Sequence, residues 1–124
     1  MLIVEAKGIL EHCFNEMLPG DLLAKARKKY AQLPVRTAQD EMPANGMTLD
    51  AVKARIGELG PAVEDTDSAF ALLVPAGHKD RNHAIIEVSI HEDRLIVAAW
   101  AKEGLIPQKT TQKAIEKIFA LLRQ

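Results

Sequence analysis

The sequence is short of cysteine, of aromatic residues and of net charge. Its one cysteine, Cys13, cannot form an intrachain disulfide, which excludes a secreted disulfide scaffold and favours a reducing compartment. The net charge of −1 removes the strongest electrostatic argument for nucleic acid or an anionic membrane as the main partner. Long apolar runs are also missing, because Glu5, Lys7 and Glu11 interrupt the N-terminal segment. We therefore expect a cytoplasmic protein that lacks a signal peptide and a membrane span.

The short motifs of common catalytic and nucleotide-binding sites are absent as well. The chain contains no Gly-x-Ser-x-Gly elbow, no His-Glu-x-x-His helix and no Gly-x-x-x-x-Gly-Lys phosphate loop. It also has no Gly-x-Gly-x-x-Gly dinucleotide fingerprint. No cofactor is expected, so function has to be argued from the fold and its surfaces.

Helical spacing of apolar residues marks the two ends of the chain. Residues 2–18 and 21–33 flank Pro19-Gly20 and predict a helical hairpin, although residues 2–6 also fit a short strand. Residues 107–124 predict a C-terminal helix with Thr110 or Thr111 as its N-cap.

The middle of the chain predicts one more helix and one long loop. Apolar residues from Leu49 to Leu59 recur at helical spacing, and Thr48 or Asp50 can cap that helix. Residues 34–47 have no sustained period, which predicts a loop of a length that is often functional. Residues 64–68 are acidic and favour a turn.

Three segments alternate as strands do, near 68–74, 84–90 and 95–101. The last two flank His91-Glu92-Asp93-Arg94 and predict an antiparallel hairpin that pairs Ile90 with Leu95, closed by a four-residue loop around a type I turn. Helices precede the strands and one follows them, so crossover helices cannot join them into a parallel sheet. We predict one compact α+β domain over residues 1–124, with a sheet of about three antiparallel strands.

The two faces of this sheet differ in composition. One face is uniformly apolar and predicts the core: Ile86, Val88, Ile90, Leu95, Val97 and Ala99. The other face mixes polar residues with Ile85, Ile96 and Trp100, which a fully solvated face would not need. A helix of the same chain, a second copy or a ligand could cover it. Trp100, Ile85, Ile96 and Arg94 are therefore the predicted interface residues, and a homodimer is one hypothesis.

The densest polar cluster runs from His78 to His83. His78, Asp80 and His83 are the candidate catalytic residues, since histidine titrates near physiological pH and loops beside a sheet often carry catalysis. A regular strand would separate His83 from His91 by about 26 Å, so we predict no metal site. The cluster supports an alternative function, a small hydrolase or a metal-dependent enzyme.

A basic patch follows Pro19-Gly20, consisting of Lys25, Arg27, Lys28, Lys29 and Arg36. The only nearby aromatic residue, Tyr30, falls on the predicted buried stripe, so no platform for base stacking accompanies the charges. Weak nucleic-acid binding is therefore the second alternative. Cys13 falls on a buried stripe too and is interpreted as a core residue.

With no motif, cofactor signature or concentrated charge, the predicted function is non-catalytic. We expect a small regulatory or protein-interaction module whose partner is another protein or a second copy of the chain.

Overall fold

The computed structural model describes residues 1–17, 23–77, 82–104 and 109–124. The strands are Val35–Pro43 (β1), Ala62–Asp65 (β2), Ala69–Pro75 (β3), His83–His91 (β4) and Arg94–Lys102 (β5). The helices are Ile3–Met17 (α1), Leu23–Gln32 (α2), Leu49–Ile56 (α3) and Thr110–Leu122 (α4), with a short 3-10 helix over Gly57–Leu59. Across the described ranges, all five strands form one antiparallel sheet in the order β1-β5-β4-β3-β2. No helix there is long and apolar enough to cross a membrane.

The α+β class is as predicted, but a three-stranded sheet is wrong. The predicted loop over 34–47 contains β1, which pairs with β5 over its whole length. The predicted acidic turn over 64–68 is only partly a turn, because its first two residues, Glu64 and Asp65, belong to β2. In β1, charged Arg36 and Asp40 alternate with Ala38 on one face of the strand. Because an edge strand exposes much of both faces, polar residues can occupy either face. The sequence of β1 therefore lacks the alternation of apolar and polar residues by which a strand is predicted.

Helices α1 and α2 cover part of one face of the sheet. Residues 3–6 begin α1 and are helical, which decides between the helix and the strand that the sequence left open. Ala6 and Leu10 of α1 and Tyr30 of α2 are buried in this layer. The Phe14 and Tyr30 rings stack with centroids 4.0 Å apart, and this contact joins the two helices.

Helices α3 and α4 cover the opposite face and form the larger core. Thr48 caps α3 as predicted, because its hydroxyl accepts the Ala51 amide at 3.1 Å. The predicted cap of α4 is wrong: Lys109 occupies the N-cap position without a side-chain bond. The buried Glu103 carboxylate instead accepts the Thr110 amide at 2.5 Å. The predicted apolar face of the β4–β5 hairpin packs in this core.

The hairpin pairs Ile90 with Leu95 as predicted, but its turn is shorter than expected. His91 pairs with Arg94, so only Glu92 and Asp93 form the turn, both with positive φ (51° and 58°). This is the geometry of a type I′ turn, which matches strand twist better than a type I turn. The Asp93 carboxylate accepts the Gly46 amide at 3.1 Å, which ties the turn to the segment after β1.

Candidate functional site

The predicted interface residues separate into two pairs. Ile85 is 0% exposed and Trp100 is 7% exposed, and both belong to the core beneath α1 and α2. A helix of the same chain therefore covers them, and in this structure neither is available to a partner. Ile96 and Arg94 lie further along the same face, half-buried, and their role in an interface stays a prediction.

Burial decreases along this face beyond Ile85 and Trp100, where Gln39 and Glu41 are exposed and the neighbouring residues are half-buried. We call this part the open sheet face, and its residues are Gln39, Glu41, Glu87, Ser89 and Ile96. The strand register places Gln39 opposite Ala98 and Glu41 opposite Ile96. Arg94 donates to the Glu41 carboxylate at 3.0 Å. The open sheet face thus has a small apolar centre with charged and hydrogen-bonding groups around it.

The first turn of α1 borders the open sheet face. The amino group of Met1 lies 3.1 Å from the Glu87 carboxylate, which brings the start of the helix over the middle of β4. The next three residues, Leu2, Ile3 and Val4, are 69%, 54% and 80% exposed. We call them the apolar triplet. Single exposed aliphatic residues are ordinary on a protein surface, whereas three at one end of a helix expose an unusual amount of apolar side chain in one place.

A groove of about 640 Å³ lies at the other end of α1. Its polar side chains are His12, Cys13, Glu16 and His83, and Leu73 and Pro75 are among its apolar lining residues. One predicted catalytic residue, His83, therefore lies in a groove with a carboxylate and a second histidine. Sequence spacing could not show this, because residues 12–16 and residue 83 are far apart in the chain.

Burial acts on two of the groups in the groove. It lowers the pKa of His83, so the imidazole is neutral over a wider pH range than a free histidine. Burial, and then the charge of Glu16, raise the pKa of Cys13, which keeps the thiol protonated at neutral pH. Proton transfer by His83 is therefore favoured over nucleophilic attack by Cys13.

The other predicted catalytic residues, His78 and Asp80, lie outside the described residues. His91 is exposed at the hairpin turn, at the opposite end of β4 from His83. The part of the chain that the structure describes contains no group of three histidine, cysteine or acidic residues able to hold a metal ion.

The basic patch is described only in part. Lys28 and Lys29 of α2 and Arg36 of β1 are exposed. Lys25 and Arg27 belong to α2, but their side chains lie outside the described part of the structure. Binding of nucleic acid through this patch stays a prediction.

Sequence reasoning missed one internal polar contact. Lys102, at the end of β5, is 0% exposed, and its ammonium donates to Glu11 at 2.6 Å and to the Tyr30 carbonyl at 3.0 Å. It also lies 4.9 Å from the centre of the Tyr30 ring. Lys102 thus ties the sheet to both α1 and α2. A lysine at a strand end is usually solvated, so nothing in the sequence distinguished it.

Comparison with known proteins identified no relative of the chain. No family model matches it, and no curated protein or solved structure matches it at a significant level.

Proposed function

We propose that the protein is a non-catalytic protein-interaction module, and that it binds its partner through the open sheet face and the apolar triplet. The observation that carries the proposal is the high exposure of three consecutive aliphatic residues, Leu2, Ile3 and Val4, next to Met1, whose amino group reaches Glu87 of the open sheet face. The lone cysteine favours the cytoplasm as its setting.

The composition of this surface defines the partner. Aliphatic side chains at the centre favour burial against an apolar patch, and the Glu41–Arg94 pair and Glu87 supply a polar rim. The partner that fits is a protein with exposed aliphatic residues surrounded by hydrogen-bonding groups.

Site-specific photo-crosslinking in living cells tests this proposal. A photoreactive residue is placed at Val4, at Ser89, or at the control position Glu116, which is exposed on α4 in the opposite layer. We expect one protein to be crosslinked from Val4 and Ser89 and not from Glu116. Val4→Asp and Ile96→Asp should each weaken its binding at least about ten-fold in a purified pair. No adduct, or the same adducts from all three positions, would contradict the proposal.

A second candidate function is favoured by the groove, a small hydrolase in which His83 is the general base. Its support is an imidazole with a lowered pKa in a groove that Glu16 also lines and that is large enough for a small substrate, although the Glu16 carboxylate itself lies 3.7 Å from His12. The test is hydrolysis of a panel of chromogenic esters. Activity should be lost in His83→Gln and kept in His91→Gln, which changes a histidine outside the groove. Equal activity in both variants, or no activity in the wild type, would exclude this function.

A further inference from the structure

The two edges of the sheet differ in how they are protected. The edge strand β2 has four residues, and its pairing with β3 shifts between Ala62 and Glu64. The other edge strand, β1, has nine residues and pairs with β5 without any shift. Short or irregular edges resist pairing with another chain, whereas a long regular edge is a template for it. Of the two edges, β1 is therefore the one suited to an additional strand.

The charges on β1 are complementary to the same strand in reverse. Arg36 and Asp40 lie on one face of the strand, two residues on either side of Ala38. Both side chains are exposed, and among the described residues neither forms an ion pair. Glu103 lines the same cleft as Arg36, but its carboxylate accepts the Thr110 amide instead. The Asp40 carboxylate accepts the adjacent Glu41 amide at 2.8 Å, but the two opposite charges on this edge have no ion-pair partner within the described chain.

We propose that β1 pairs antiparallel with β1 of a second copy, about a twofold axis that passes through Ala38. In this register Arg36 of each copy lies opposite Asp40 of the other, so the symmetry forms the ion pair twice. Thr37 lies opposite Gln39 on the other face. Pro34 and Pro43, which cannot donate a backbone hydrogen bond, fall outside the seven paired residues 35–41.

The arrangement has a consequence for the surfaces of the dimer. A twofold axis at an antiparallel strand pair stands perpendicular to the sheet, so the two five-stranded sheets become continuous and present the same face on the same side. Both open sheet faces then lie on one side of the dimer. The strand edge is a different surface from the one in the proposed function, so either proposal can fail without the other.

A charge-swap series tests the pairing and its register together, with subunit number measured by sedimentation equilibrium from micromolar to high-micromolar protein. Arg36→Asp places two acidic groups opposite each other and Asp40→Arg two basic groups, and each should raise the dimer dissociation constant at least about ten-fold. The double variant Arg36→Asp with Asp40→Arg restores both pairs and should dimerise like the wild type. Glu64→Arg on the β2 edge is the matched control and should not change the constant.

The rescue by the double variant separates a specific pairing from a general effect of charge or of misfolding, since it carries both substitutions. A wild type that stays monomeric at high-micromolar concentration would overturn the proposal. A dimer that the single substitutions leave intact, or that the double variant fails to restore, would overturn it equally.

Discussion

Lys102 links the sheet to the α1–α2 layer through a fully buried ammonium, and its removal should destabilise the fold. Lys102→Met removes the donor of the Glu11 carboxylate and one of two donors to the Tyr30 carbonyl, which also accepts the Leu33 amide at 3.1 Å. Glu11 is 30% exposed and can be solvated once its donor is gone, so the expected loss in the free energy of unfolding is that of a hydrogen bond to a charged group, about 2 kcal/mol. Urea denaturation measures it.

An exposed ion pair provides the matched control for Lys102. Lys53 pairs with Asp65 on the surface, where both side chains are more than a third exposed. Lys53→Met removes a lysine from a solvated pair and should cost less than about 1 kcal/mol. Equal losses in the two variants would show that burial of Lys102 adds nothing to stability.

His83 gives the free energy of unfolding a dependence on pH. Burial lowers the pKa of the folded imidazole below its ordinary value of 6.5, so the unfolded chain binds the proton more readily. The contribution of the neutral histidine is present above pH 6.5 and is lost as the pH falls through the lowered pKa. Denaturation at several pH values should show stability declining over this range, with a smaller slope in His83→Gln. An unchanged slope in that variant would contradict the assignment.

At the scale of whole elements, the sequence predicted the helices and strands whose apolar residues recur at regular spacing, and it missed the strands that have no such pattern. The four helices and strands β3, β4 and β5 carry apolar residues at regular spacing, because each buries one or both faces. Strands β1 and β2 lie at the sheet edges, where partner strands rather than apolar side chains determine the structure. The candidate site divides in the same way: Ile96 and Arg94 followed from alternation, while the groove around His83 required the tertiary fold.

Gly60 joins the 3-10 helix to the sheet through a close approach that only glycine allows. A Cβ at this position would overlap with the carbonyl oxygen of Leu73, and the Leu73 amide bonds the adjacent Pro61 carbonyl at 2.9 Å. Gly60→Ala should therefore lower the free energy of unfolding by about 2–3 kcal/mol, because the backbone has to move to make room for the Cβ.

Gly8 lies inside α1, and a Cβ added there has nothing within 4 Å. Gly8→Ala should therefore raise the free energy of unfolding by up to about 1 kcal/mol. Thermal denaturation compares the two, and a stable Gly60→Ala variant would contradict the close approach.

At the scale of the whole molecule, the sheet separates two layers of unequal size. The α3–α4 layer encloses the larger core, whereas the α1–α2 layer covers only part of its face and begins with the exposed apolar triplet. Local opening is easiest where few apolar groups are buried. We therefore expect the amides of α1 to exchange with solvent faster than those of the central strands β4 and β5.

Hydrogen exchange followed by mass spectrometry measures this order, and Lys102→Met tests its cause. The Lys102 ammonium contacts α1 and α2, so its contacts break when that layer leaves the sheet. If Lys102 holds the smaller layer on the sheet, its loss should therefore speed exchange in α1 and α2 by more than it speeds exchange in β4 and β5. Wild-type amides of α1 that exchange as slowly as those of β4 would show that both layers open only together. Equal acceleration throughout the variant would mean that Lys102 stabilises the molecule as one unit, and not the attachment of one layer.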